Sequence, residues 1–315
     1  MDQFLRWANF QEYVSVTFEL LWMLLKILYE TLKSVFQVIV PPSPKDVKDD
    51  IILITGTGHG MGREVAVRLA RLGATLVCVD INTANNEETA KMIKQEKGKA
   101  HAYRCDVTNR AAVMELAEKV KREVGDVTIL VNNAGIMPCK PLLQQTEQEI
   151  RLMNDINIHG NLWMIQAFLP AMISSERGQI VAMSSMAGLM GVGNLVPYCG
   201  SKYAVRGIMD ALAMELHMDP RRLDGIKLTT ICPYMVDTGL CKKPRVRFQS
   251  LRSNRVVGVD EAADTIVDAI RRELTDITIP HELYYVSKFL YVPMSRAAKH
   301  IGYEFFNAGV DAHDD

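Results

Sequence analysis

Apolar positions along this chain change their rhythm at two points. From Tyr13 to Val40 they run almost unbroken ("YVSVTFELLWMLLKILYETLKSVFQVIV"); "PPSPKDVKDD" then turns polar, and from Ile51 short apolar runs alternate with stretches of helical spacing. The runs Ile51 to Thr55, Leu76 to Val79, Ala100 to Arg104, Val127 to Val131, Gln179 to Met183, Ile226 to Cys232 and Ile277 to Ile279 are expected as strands. Helices are expected near Arg63 to Leu72, Ala111 to Glu123, Glu147 to Met172, from Tyr198 onward, and Glu261 to Arg272. Strand following helix in this way predicts one α/β domain over residues 51–280, a doubly wound parallel sheet covered by helices on both faces. Residues 1–40 form a separate helix, 41–50 a linker, and 281–315 an apolar segment with a polar, frayed tail ("DAHDD").

The first helix is a different material from the rest. A helix from Tyr13 to Val40 is about 42 Å long at 1.5 Å per residue, enough to cross a bilayer core. Glu12, Glu19, Lys26 and Lys33 recur every seven residues and Glu30 follows Lys26 by four, so the charges line one narrow stripe. Lying in the membrane interface keeps that stripe wet, whereas a lone span drives it into lipid at roughly 2.5 to 3.5 kcal/mol for a central charge. The pattern therefore predicts a monotopic anchor, with a tilted or partnered span and a core helix as alternatives. A cleaved signal peptide fits poorly, because the run is long and no small-x-small site precedes the linker.

At the first strand-to-helix turn stands "TGTGHGMG". Glycines at 56, 60 and 62 let the backbone turn tightly and approach a pyrophosphate, whose charge is favoured at a helix N-terminus. Asp80 ends the next strand, where a carboxylate accepts the adenosine ribose hydroxyls and repels a 2′-phosphate. These positions predict a Rossmann-type nucleotide site that takes NAD rather than NADP. Further along, Tyr198 and Lys202 are four apart with Gly200 and Ser201 between them, so they share one helix face and an ammonium can act on a phenol.

Together with "CDVT" at Asp106, "NNAG" (132–135), "INIHG" at Asn157 and Ser185 thirteen residues before Tyr198, these motifs resemble the short-chain dehydrogenase/reductase superfamily over residues 50–280. An N-terminal hydrophobic helix, "VDIN", "EVGDVTILVNNAG" and "FLPAM" narrow the resemblance to the membrane-associated subgroup of epidermal retinol dehydrogenases and lipid-droplet 17β-hydroxysteroid dehydrogenases. The resemblance implies catalysis by Asn157, Ser185, Tyr198 and Lys202. It implies NAD binding by Gly56, Gly60, Met61, Gly62, Asp80, Asp106, Val107, Asn133, Tyr198, Lys202 and Thr238. Lys202 is expected to make the Tyr198 phenol more acidic, Ser185 to hold the substrate oxygen, and Asn157 to position a water linking Lys202 to solvent. A lipophilic alcohol or carbonyl substrate, a homodimer, and residence on the endoplasmic reticulum membrane or a lipid droplet are implied in the same way. One departure stands out: the family's Pro-Gly after the sixth strand is "PYMVDTG" here, so Tyr234 replaces the glycine.

Composition narrows the field. A formal net charge of -1 gives no basic field for nucleic acid, which is not an expected partner. The six cysteines form no CxxC pair, and Cys199 has no histidine or acid spaced to activate it, so neither a zinc site nor a thiol nucleophile is expected. The one basic run, residues 242–255 with Lys242, Lys243, Arg245, Arg247, Arg252 and Arg255, reads as a solvated lid or as a contact for anionic headgroups. "LYYVSKFLYVPM" (283–294) reads as a lipid entrance or as a helix packed on the core.

Overall fold

The computed structural model describes residues 2–241, 244–245, 247, 255–307 and 309–312. The chain divides into two compact units, Met1–Pro44 and Lys45–Asp315.

The first unit is helix α1 (Asp2–Ile39), 38 residues long. It begins well before Tyr13 because nothing in "DQFLRWANFQE" breaks a helix. Apolar side chains such as Phe18, Trp22, Leu25 and Leu32 are exposed, and Lys33 pairs with Glu30 at 3.1 Å. Among the described residues no helix is long and apolar enough to cross a membrane. The span alternative is thereby corrected, since Glu19, Lys26, Glu30 and Lys33 interrupt every long apolar window.

The second unit is built on a seven-stranded sheet in the order β3-β2-β1-β4-β5-β6-β8. The strands are β1 (Ile51–Thr55), β2 (Thr75–Asp80), β3 (Lys99–Arg104), β4 (Ile129–Asn132), β5 (Gly178–Met183), β6 (Ile226–Pro233) and β8 (Asp276–Ile279), and all neighbours run parallel. A two-residue strand, β7 (Pro244–Arg245), lies outside this sheet and pairs antiparallel with β9 (Gly309–Val310), so the end of the chain folds back to close one side of the unit. The strand order reverses between β1 and β4, which opens a crevice at their carboxyl ends.

Alternation along each strand feeds two cores. Ile52 and Ile54 pack with Val65, Leu69, Ile266 and Ile270 of helices α2 (Gly60–Arg71) and α8 (Val259–Arg271). Leu53 faces the other way, against Val113, Met164, Phe168 and Val205 of α4 (Arg110–Glu123), α6 (Gly160–Ser174) and α7 (Val196–Met218). Burying both faces explains why the strands read as continuous apolar runs.

Three features depart from the patterning. Helix α3 (Thr83–Gln95) carries only a short apolar stripe; it buries Asn86 and Thr89 beside Ala90 and Ile93, and Asn86 Nδ2 donates to the carbonyls of Cys78 and Tyr103. The helix expected over 147–172 is α5 (Glu147–Asn154) and α6 joined by a π-turn, Asp155–His159, that holds Asn157. Residues 45–50, expected as linker, pack on the sheet: Val47 is buried, and Asp50 accepts a 2.7 Å hydrogen bond from Thr128 Oγ1.

Candidate active site

Every predicted cofactor residue of the first half follows a strand end. After β1 the chain turns through Gly56 (φ +73°) and Gly60 (φ +57°), left-handed conformations that glycine adopts without strain. A Cβ at Gly62 would lie 2.2 Å from the Gly56 carbonyl oxygen, so the cradle closes only around a bare backbone. α2 starts there without a side-chain cap, leaving the positive end of its dipole toward the crevice. Asn133 ties the turn to β4, its Nδ2 donating to the carbonyls of Thr55 (2.8 Å) and Gly56 (3.2 Å).

At the end of β2, Asp80 is held in place: Oδ2 accepts from the Gly58 N–H and Oδ1 from the Asn82 N–H, both at 2.8 Å. Gly58 is a contact the sequence reading missed; a Cβ there would meet Asp80 Oδ2 at 2.9 Å. Asp106 follows β3 and accepts from the Thr108 N–H and hydroxyl, while Val107 packs where a Cβ on Gly160 would come to 2.9 Å. Thr238 lies beside Gly60, 3.3 Å from the position of a Cβ there. Met61 and Thr238 also line the large cavity.

That cavity, about 880 Å³, holds Ser185, Tyr198 and Lys202 in its wall, together with Asn133 and Gly135. α7 carries Tyr198 and Lys202 one turn apart, as their spacing predicts; Lys202 Nζ lies 5.6 Å from the Tyr198 ring centroid and donates to the Met183 carbonyl at 2.8 Å. Both are buried. Burial pushes the Tyr198 phenol up to about 12, with Ser185 the group that pulls it back, and pulls the Lys202 ammonium down to about 8. Among the protein's own groups desolvation dominates, because both charges would leave water together.

Of the two adjacent serines, Ser184 spends its hydroxyl on the Lys202 carbonyl at 2.8 Å, anchoring α7 to β5. Ser185 faces the cavity and donates to the Pro233 carbonyl at 3.3 Å. Asn157 is fully buried: Nδ2 donates to the Ile136 carbonyl and to Ser201 Oγ, and Oδ1 accepts from the Ile136 N–H, each at 3.0 Å. The Ser201 hydroxyl passes the chain on to the Tyr198 carbonyl at 2.8 Å. Ser201 is a second contact missing from the sequence reading, hidden because a small residue inside Tyr-x-x-x-Lys looks like a spacer.

Most of the rest of the wall is apolar, with Met137, Met186, Met190, Met235 and Met294 beside Leu283, Val286 and Tyr291. The segment 283–294 thus lines the opening; it is helical from α9 (Leu283–Tyr285) through the π-turn Val286–Tyr291, and Phe289 and Val292 on it are exposed. Tyr234 lines the cavity too, half-buried against Met186 and Leu189. In the basic run, Arg255 pairs with Glu261 and Arg245 with Asp311, while Arg247 donates to the Phe305 carbonyl. These partners take up the described arginines; Lys242, Lys243 and Arg252 lie outside the described residues, as do residues 313–315 of the tail expected to fray.

A crevice at the switch point of a parallel sheet, lined by a serine, a buried tyrosine and a buried lysine, defines an oxidoreductase of the dehydrogenase type. The chain belongs to the short chain dehydrogenase family, whose model matches residues 50–247. It is similar to epidermal retinol dehydrogenase 2 of Homo sapiens, 38% identical over 83% of this chain and 84% of that protein. It is also similar to 17-beta-hydroxysteroid dehydrogenase 13 of Homo sapiens, 36% identical over 88% and 89%. Two solved structures share the fold. One is a short chain dehydrogenase/reductase from Burkholderia phymatum in complex with NAD, with TM-score 0.69, 22% identity and coverage of 86% of this chain and 98% of that one. The other is a metagenomic short-chain oxidoreductase in complex with NADP, with TM-score 0.62, 24% identity and coverage of 74% and 97%.

Proposed function

We propose that the protein is a membrane-associated, NAD-dependent dehydrogenase that interconverts a lipophilic alcohol of retinoid type and its carbonyl. The observation that carries this reading is the placing of Ser185, Tyr198 and Lys202 in the wall of one methionine-rich chamber. Methionine fills irregular apolar space and adapts to flexible ligands. The retinol dehydrogenase relative favours a retinoid, and the 17-beta-hydroxysteroid relative keeps a steroid alcohol as the second reading.

The glycine cradle and the fixed Asp80 carboxylate fit a dinucleotide. Asp80 supports NAD, since a negative charge held at the ribose end disfavours a 2′-phosphate. An oxidised nicotinamide, once bound, would supply a hydride acceptor and a positive charge. Ser185 hydrogen-bonds the substrate oxygen and holds it against the Tyr198 hydroxyl. Tyr198 takes the hydroxyl proton as the C–H hydride departs, and returns it in the reverse direction. Lys202 offers a nearby cation to the phenolate that forms. Asn157 also fixes the loop after β4 and the first turns of α7 through Ile136 and Ser201, and Oδ1 keeps a second lone pair that can accept from a relay water.

The exposed apolar surface of α1 and the exposed Phe289 and Val292 support residence at an endoplasmic reticulum or lipid-droplet surface, from which a lipid alcohol reaches the chamber. The test is NAD reduction by full-length protein in detergent across retinol, steroid and fatty-alcohol panels. Tyr198→Phe should lower kcat by about 10² to 10⁴ while dinucleotide binding survives. A variant as active as the parent, or no turnover of any lipid alcohol, removes the reading and leaves a dinucleotide-binding scaffold.

A further inference from the structure

The charges around the chamber are of one sign. Among the described residues no aspartate or glutamate lines it, whereas Lys202, Arg296, Lys299 and His300 do. Lys202 belongs to the reacting centre; the other three come from a single helix, α10 (Arg296–Phe306). Its first turn holds no acidic residue. That inverts the usual placement, because the N-terminal turn is the positive end of a helix and cations there add to an existing positive potential. Neither Arg296 nor Lys299 has a carboxylate partner among the described residues, and Lys299 Nζ rests 4.5 Å above the Tyr291 ring.

Arg296 and His300 are exposed and Lys299 is half-buried, so they sit at the rim of the chamber, whose wall α10 continues with Tyr303 and Phe306. An arginine and a lysine at the rim of an apolar chamber, with no carboxylate among its lining residues, gain a charge-assisted contact from a ligand that brings an anion. The chamber, about 880 Å³, runs from Met61 and Thr238 at the glycine cradle past Tyr198 to α10, and is of the size that takes small-molecule ligands.

We infer that the chamber takes a lipophilic alcohol or carbonyl carrying an anionic group, a carboxylate or a phosphate, which Arg296 and Lys299 hold with His300 beside them. This specifies the substrate class and rests on the dehydrogenase reading above.

Two measurements on full-length protein in nonionic detergent test it. In the first, fluorescence titration compares parinaric acid with its methyl ester on the Tyr198→Phe chain. The acid is expected to bind about tenfold tighter, the scale of one charge-assisted contact, and the ratio should fall toward one in Arg296→Gln/Lys299→Gln. In the second, NAD reduction compares an ω-hydroxy fatty acid, its methyl ester and the matching ω-hydroxyalkyl phosphate. The anions should show kcat/KM about tenfold above the ester, and whichever anion leads identifies the head group. Equal affinity for acid and ester in the Tyr198→Phe chain, or a preference unchanged by the double substitution, overturns the inference. The acid-to-ester ratio in that chain needs no change in α10, so a misfolded α10 variant does not protect the idea. If no alcohol is oxidised, the dehydrogenase reading fails, and the binding ratio still decides the anion site.

Discussion

Replacing Lys202 by methionine should make the protein less active and more stable. Methionine keeps the length and apolar volume of the lysine stem and removes only the ammonium. Desolvation lowers the Lys202 pKa from 10.5 to about 8. At about 1.36 kcal/mol per unit, a drop of about 2.5 units means that carrying the charge in the folded state costs about 3 kcal/mol near pH 7. Against this stands the hydrogen bond to the Met183 carbonyl, whose loss costs about 1 kcal/mol. Lys202→Met should therefore gain about 1 to 2 kcal/mol, or a few degrees in Tm for a unit of this size. The sign of the pH dependence is fixed as well. Between pH 8 and 10.5 the unfolded chain binds the proton that the folded chain has lost, so wild-type stability rises with pH there. The advantage of the variant is complete below about pH 8 and gone by about pH 10.5. Urea unfolding of full-length protein and variant in the same detergent, at pH 7 and pH 10, reads both quantities. A variant less stable than wild type at pH 7, or a difference that does not narrow at pH 10, refutes the claim that Lys202 is held at an energetic cost.

The remaining predictions concern the cofactor cradle. Gly62→Ala drives a methyl to within 2.2 Å of the Gly56 carbonyl, so it should cost about 1 to 3 kcal/mol of stability and weaken dinucleotide affinity, read by thermal unfolding and fluorescence titration with NADH. Asp80→Ser removes the charge that opposes a 2′-phosphate; the ratio of NAD to NADP affinity should fall at least about tenfold, and an unchanged ratio removes Asp80 from cofactor choice.

Much of the site can be read along the chain because the fold presents it at strand ends. Gly56, Asp80, Asp106, Asn133 and Ser185 each stand at or just after the end of a strand, and a parallel sheet brings the carboxyl ends of its strands to one edge. Tyr198 and Lys202 are legible for a local reason, the periodicity of one helix. The N-terminal helix and the alternating body were likewise visible as changes in hydrophobic rhythm. Helix α3 was not, because half of its buried face is Asn86 and Thr89, which satisfy backbone groups, and only Ala90 and Ile93 remain as its buried apolar positions.

The sequence by itself determined the order of elements, the glycine cradle and the pairing of phenol with ammonium, all of which depend on neighbours within a few residues or on burial of whole strands. Only the tertiary structure decided which influence rules that pair, since the removal of water from Tyr198 and Lys202 depends on everything packed around them. It alone decided that the amide of Asn157 meets Ile136 and Ser201. The tertiary structure likewise brought Arg296, Lys299 and His300, about a hundred residues from Tyr198, into the same chamber wall. Local spacing carries information about one face of one helix; which faces meet is set by the closing of the whole core.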